Sequence, residues 1–152
     1  MTDSPYDRRN GWTIYLHPAF RMPFDALTAE VDRLQHELDV KAFTEHPKAR
    51  LLARIRKLVL DDIPNDPGSP AYELGNTLGP SYRHWRRAKF NERFRLFFRF
   101  RTDAKVIVYG WMNDQNTLRA RGARDDAYAI FANRLKRGVP PDSFDDLLTE
   151  SK

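Results

Sequence analysis

Residues 82–101 read YRHWRRAKFNERFRLFFRFR, and the way this stretch pairs with itself decides the fold. Large apolar and charged side chains interleave in residues 82–90 and again in 94–101, with Asn91-Glu92-Arg93 between them, which predicts two antiparallel strands. Residues facing each other across a ladder point to the same side of the sheet, so the loop length sets which groups meet. A three-residue loop opposes Phe90 to Phe94 and Ala88 to Leu96, collecting apolar groups on one face and Arg87, Lys89 and Arg95 on the other. A two-residue loop would oppose Lys89 to Phe94 and mix the faces, which rules it out. Beyond Thr102-Asp103-Ala104, residues 105–112 predict a third strand that completes an antiparallel meander. Neither of its faces is the more polar, and its register stays open.

Upstream, Trp12–Leu16 (WTIYL) is a strand bounded by Asn10-Gly11 and His17-Pro18. From Pro23 the period changes: Phe24, Leu27, Val31, Leu34 and Leu38 recur at helical spacing, with Pro23 suited to the first turn. That helix ends near Glu45-His46-Pro47, and Leu51, Leu52, Ile55, Leu58, Val59 and Leu60 carry a second one to about Asp62, giving an antiparallel helical hairpin. The segment 64–70, PNDPGSP, breaks both helix and ladder. Neither half is long enough to bury much alone, so residues 1–152 are expected to form a single α+β domain. Asp125 is a fitting N-cap for a C-terminal helix presenting Tyr128, Phe131 and Leu135 and stopping at Gly138. A short last helix follows Asp142, with Phe144, Leu147 and Leu148 closing the core.

The whole chain has 26 basic and 21 acidic residues, a net charge of +5. Residues 82–101 alone hold seven arginines and one lysine against Glu92, a net of +7, so the remainder is slightly acidic. Charge concentrated on one element and interleaved with aromatics points to a polyanion, nucleic acid first. The absence of cysteine excludes disulfide frameworks and thiolate zinc sites. His17, His36, His46 and His84 are scattered without ligand spacing, so no metal and no other cofactor is expected. The N-terminus lacks a signal-like apolar run and no stretch of eighteen apolar residues occurs, which makes a cytoplasmic location the expectation.

Arg87, Lys89 and Arg95 on one face need an anion, and a phosphodiester satisfies them: guanidinium forks grip its non-bridging oxygens more strongly as charge develops in a phosphorane-like transition state. Such a site cleaves RNA without metal if it aligns the adjacent 2′-hydroxyl with phosphorus. Solvent-facing strand arginines that bind nothing are the plain alternative for any one of them, yet clustering without a ligand destabilises the strand pair. In residues 113–121 Asn113, Asp114 and Asn116 read as backbone-bonding turn residues, whereas Arg119 and Arg121 reach back over the same face. His17 and His84 have no visible partner. Trp85 and Phe97, with Arg86, are candidates for holding RNA by stacking and charge, with core burial the rival explanation for the two aromatics.

The segments NGWTIYLHPAF, GNTLGP, HWRRAKFNERFRLFFRF, GWMNDQNTLRARGARDDAY and KRGVPP together resemble the YhaV family of bacterial type II toxins over nearly the whole chain. Through it they resemble the RelE and ParE superfamily. The resemblance implies two N-terminal helices packed on a twisted antiparallel sheet of about four strands, with a C-terminal helix. It implies an endoribonuclease that cuts messenger RNA, typically during translation, and arrests growth. Its partner would be an AbrB-type, PrlF-like antitoxin, the joint complex binding operator DNA to repress its own genes. Matched to motif positions, the catalytic set is Arg87, Lys89, Arg95 and Arg119, while Arg121 stands where a C-terminal tyrosine is expected. Two other functions remain compatible with the residues: a non-enzymatic RNA or DNA binder, and a ParE-like toxin of DNA gyrase.

Overall fold

The hairpin that opposes Phe90 to Phe94 is present, in the expected register, in the computed structural model, which describes residues 4–114 and 123–152. Strand β1 (Asp7–Arg9) turns into β2 (Trp12–Leu16), and helices α1 (Pro18–Glu37), α2 (Val40–Glu45) and α3 (Pro47–Lys57) follow. A π-helical turn (Leu58–Asp62) leads into the single turn α4 (Ile63–Asn65). Strands β3 (Arg86–Phe90), β4 (Phe94–Arg101) and β5 (Val106–Met112) precede α5 (Ala123–Arg137) and α6 (Phe144–Ser151).

The described sheet has five strands in the order β1-β2-β5-β4-β3, and β2 runs parallel to β5. Both features correct the expectation of about four antiparallel strands. The extra strand has a local cause: Asn10 and Gly11 adopt φ of 51° and 83°, the backbone of a two-residue hairpin turn, so the dipeptide that marks the edge of β2 also folds β1 back on it. The parallel pair has none, because its two strands lie about ninety residues apart in the chain. Strand β3 begins at Arg86 rather than Tyr82, since Tyr82 and Trp85 spend their amides on turn bonds to Gly79 and Tyr82.

Helix α1 starts five residues before Pro23, which lies inside it, because His17 caps the chain at Pro18. Nδ1 of His17 accepts the Ala19 amide at 3.0 Å, which leaves Nε2–H to donate to Glu150 on α6 at 2.8 Å. The ring is buried, and burial holds its pKa below the ordinary value of 6.5 against the opposing pull of Glu150. A histidine kept neutral in the folded chain lets the unfolded chain take up the proton first. Its stabilising effect is therefore complete above pH 6.5 and lost as pH falls below that value. Thermal melts from pH 7.5 to 5 should show the melting temperature dropping over this window, and a flatter profile for His17→Asn, which retains a capping side chain.

The last turn of the second helical stretch is wound wide because of Pro64. The Ile63 amide bonds Leu58 in a π pattern, and the next such donor to Val59 would be the nitrogen of Pro64, which carries no hydrogen. Tyr109 fills the gap: its hydroxyl, fully buried in β5, donates to the Val59 carbonyl at 2.8 Å. Burial raises the phenol well above its ordinary pKa, so it stays a donor. Without it the buried carbonyl would cost about 1–3 kcal/mol.

Both faces of the sheet are covered. On one, Phe20, Phe24 and Ile55 pack against Leu96, Phe98 and Tyr109; on the other, Phe131, Leu135 and Leu147 of the C-terminal helices pack against Trp85, Phe97 and Trp111. Strand β5 carries a bulge, for Phe97 pairs with Trp111 while Phe98 pairs with Tyr109, leaving Gly110 unopposed. That irregularity is why alternation alone left the third strand without a register. At its C-terminus α5 ends as expected, with Gly138 at φ 78° and amides 138 and 139 returning to Leu135 and Arg134. Its start at Ala123 places Asp125 inside the helix rather than at its cap. Among the described residues no helix is long and apolar enough to cross a membrane.

Candidate active site

The β3–β4 hairpin turns on Asn91 and Glu92 at φ of 46° and 64°, and Phe90 stacks on Phe94 at 5.2 Å between centroids. This closure puts Lys89 directly opposite Arg95, and Arg87 two residues along on the same face. Like charges facing each other across a ladder repel. Asn113 offsets some of that cost: fully buried, it accepts the Arg95 amide at 2.7 Å and donates to the Arg93 carbonyl at 2.9 Å, pinning the hairpin end to β5.

The two guanidiniums meet at one oxygen. Arg87 Nη1 donates to the Tyr128 hydroxyl at 2.9 Å and Arg95 Nε donates to it at 3.2 Å. Arg87 also donates to the Glu73 carbonyl at 3.2 Å and lies 5.9 Å from the centre of the Tyr128 ring. Arg95 reaches the carbonyls of Glu92 and Phe94 at 2.9 and 3.0 Å. Every one of these acceptors is neutral. Arg87 is only 8% exposed, and its Nε is buried without an acceptor among the described residues. Lys89 is exposed beside the pair. The arrangement is a cationic recess with one phenol at its centre. With two N–H groups donating to its oxygen, the Tyr128 hydroxyl directs its own hydrogen toward a third acceptor.

Arg87, Lys89 and Arg95 thus come together, whereas Trp85, Phe97 and Arg86 do not join them. Phe97 is fully buried, stacked on Phe131 at 4.2 Å and on Trp111 at 5.9 Å, and offers no face to a base. Trp85 is equally buried, with Phe131 against its ring and its Nε1–H donating to Asp142 at 2.8 Å. Arg86 points to the opposite face, beside Glu73 and over Phe100. Arg119 and Arg121, like Asn116, lie outside the described residues.

His84 does have a partner. Its Nε2 meets the same Asp142 carboxylate oxygen at 2.6 Å, and Arg99 donates to the Asp142 carbonyl at 2.6 Å, so this cluster ties the segment after α5 to the start of β3. Burial lowers the pKa of Arg99, whose cation lies over Trp85 and Phe144. The residue that sequence analysis missed is Tyr128. It fits the helical stripe with Phe131 and Leu135 and so reads as core.

Two clefts flank the sheet. One, of about 430 Å³, lies between α1 and α3 and is floored by Phe94 and Met112, away from the arginines. The other, of about 440 Å³, is walled by Thr77, Leu78, Tyr128, Ala129 and Ala132, and shares Tyr128 with them.

The family model for YhaV toxins, described as a toxin with endonuclease activity of a toxin–antitoxin system, matches residues 14–152. The chain is 43% identical over 147 residues to the ribonuclease toxin YhaV of Escherichia coli strain K12, covering 95% of each protein. It is similar to the same degree, again over 95% of both chains, to the toxin YhaV of Escherichia coli O6:H1 strain CFT073.

Proposed function

The chain belongs to the YhaV family of toxins with endonuclease activity from toxin–antitoxin systems, and from that membership we propose that it cleaves RNA at the recess where Arg87 and Arg95 converge on Tyr128. The observation that carries this reading is that both guanidiniums are gathered at one point, with only neutral acceptors among the described residues. A phosphodiester brings two non-bridging oxygens that match paired guanidinium forks.

Arg87 and Arg95 hold the scissile phosphate and stabilise the charge that builds on it. The ribose 2′-oxygen attacks phosphorus and the bond to the 5′-oxygen breaks, leaving a 2′,3′-cyclic phosphate and a 5′-hydroxyl. Tyr128 delivers its proton to the departing 5′-oxygen. Lys89 takes the 2′ proton as an amine; where it stands instead as an ammonium, adding a third cation beside Arg95, solvent water takes that proton. The motif resemblance adds Arg119 to the phosphate clamp. The same resemblance supports messenger RNA engaged in translation as the substrate, an AbrB-type antitoxin as the inhibitor, operator DNA as the target of the joint complex, and the cytoplasm as its place of action.

Incubating purified protein with end-labelled RNA, with and without ribosomes, tests the reading. Fragments ending in cyclic phosphate are expected in at least one condition and absent with Arg95→Ala. Retention of RNA without new ends in either condition would make the protein a binder instead of a nuclease.

A further inference from the structure

The cleft of about 440 Å³ beside the arginines plays no part in holding a phosphate, yet Tyr128 is at once its wall and the acceptor of both guanidiniums. Its other walls are small or apolar. On α5, Ala129 and Ala132 form a shelf one helical turn long. Across from them stands the turn carrying Leu78 and Thr77. That turn is built to hold its shape: Gly75 and Gly79 take φ of 63° and 89°, Gly79 N–H returns to the Asn76 carbonyl at 3.0 Å, and the Thr77 hydroxyl donates to the Leu74 carbonyl at 3.0 Å. Leu74 and Leu78 are anchored in the core, and Arg87 grips the carbonyl of the preceding Glu73.

We infer that this cleft seats the nucleobase adjoining the scissile phosphate, so that the turn at 75–79 and the alanine shelf set the cleavage preference. The inference rests on the proposed RNA cleavage and assigns its specificity. Continuity decides the occupant: a ligand whose phosphate lies against Arg87 and Arg95 has its next group at Tyr128, and in a single strand that group is a flat, largely apolar base. The cleft lies within the size range of small-ligand sites. The walls offer apolar surface and the Tyr128 ring with few hydrogen-bonding groups, which reads a base by apolar contact rather than by its Watson–Crick edge. A purine covers more of this apolar surface than a pyrimidine and is favoured on that ground.

The test is to sequence RNA 5′-hydroxyl ends from cells induced for the wild-type protein, for Ala129→Leu, which fills the cleft with a good helix former, and for Ala129→Ser, which keeps it open. The wild-type and Ser proteins should show about a fivefold purine preference at one position flanking the cut, from the extra apolar surface a purine buries, and the Leu protein less than about twofold. An unchanged preference in the Leu protein, or a wild-type profile flat at both flanking positions, overturns the base site while leaving RNA cleavage standing. If Ala129→Leu yields no ends, the wild-type profile alone decides. No new 5′-hydroxyl ends with the wild-type protein would sink the parent proposal and this one with it.

Discussion

Cells induced for Arg87→Ala should keep growing, and the purified variant should cleave RNA about 10²–10³-fold more slowly than the wild type. The side chain is a fork, with one arm on Tyr128 and the other on the Glu73 carbonyl, and alanine removes both along with the charge. Since Arg87 is nearly buried, loss of activity has to be separated from loss of fold. Tyr128→Phe makes that separation, because it deletes a single oxygen and keeps the ring packed against Phe97. As a proton donor that oxygen contributes about 10²-fold or more. Groups acting as one unit are not additive, so Arg87→Ala combined with Tyr128→Phe should be little worse than the weaker single variant. Growth arrest at wild-type strength by folded Arg87→Ala would remove Arg87 from the chemistry.

Gly110→Ala should be the most damaging glycine-to-alanine change among the described residues. A Cβ at this bulge would stand 2.8 and 2.9 Å from Cζ3 and Cη2 of Trp85, closer than side-chain carbons pack. The indole cannot retreat: it is fully buried, lies edge-on to Phe131 at 5.0 Å, and is held by its bond to Asp142. Overpacking of this kind costs about 1–3 kcal/mol or more. For a chain of this size about 3 kcal/mol lowers the melting temperature by roughly 10 °C. Trp85→Phe shortens the ring at the point of collision, so the pair should couple, with the double variant more stable than Gly110→Ala alone. A melting temperature unchanged in Gly110→Ala would mean that the strand shifts freely where the glycine now sits.

Much of this was legible in the residues themselves. Strands β2 and β4 and the pairing of Phe90 with Phe94 follow from alternation and loop length, because each depends on neighbours a few positions away. What escaped has long-range causes. The partnership of β2 with β5 leaves no local mark, and the bulge at Gly110 erases the alternation that would have set a register. The burial of Trp85 and Phe97 follows from α5 covering the face that carries the arginines, so aromatics interleaved with cations were core and not surface. Tyr128 escaped for the converse reason: a phenol at the margin of an apolar stripe is indistinguishable from a packing residue until its oxygen is found between two guanidiniums.

Arg95 on the hairpin and Tyr128 on the helix are separated by 33 residues of chain. Synthesis from the N-terminus delivers the cations first and the phenol only near the finish, so in a half-made polypeptide the proposed site is incomplete. On the proposed mechanism α5 acts as the fuse, giving an antitoxin an interval to engage the newborn molecule before its site is complete.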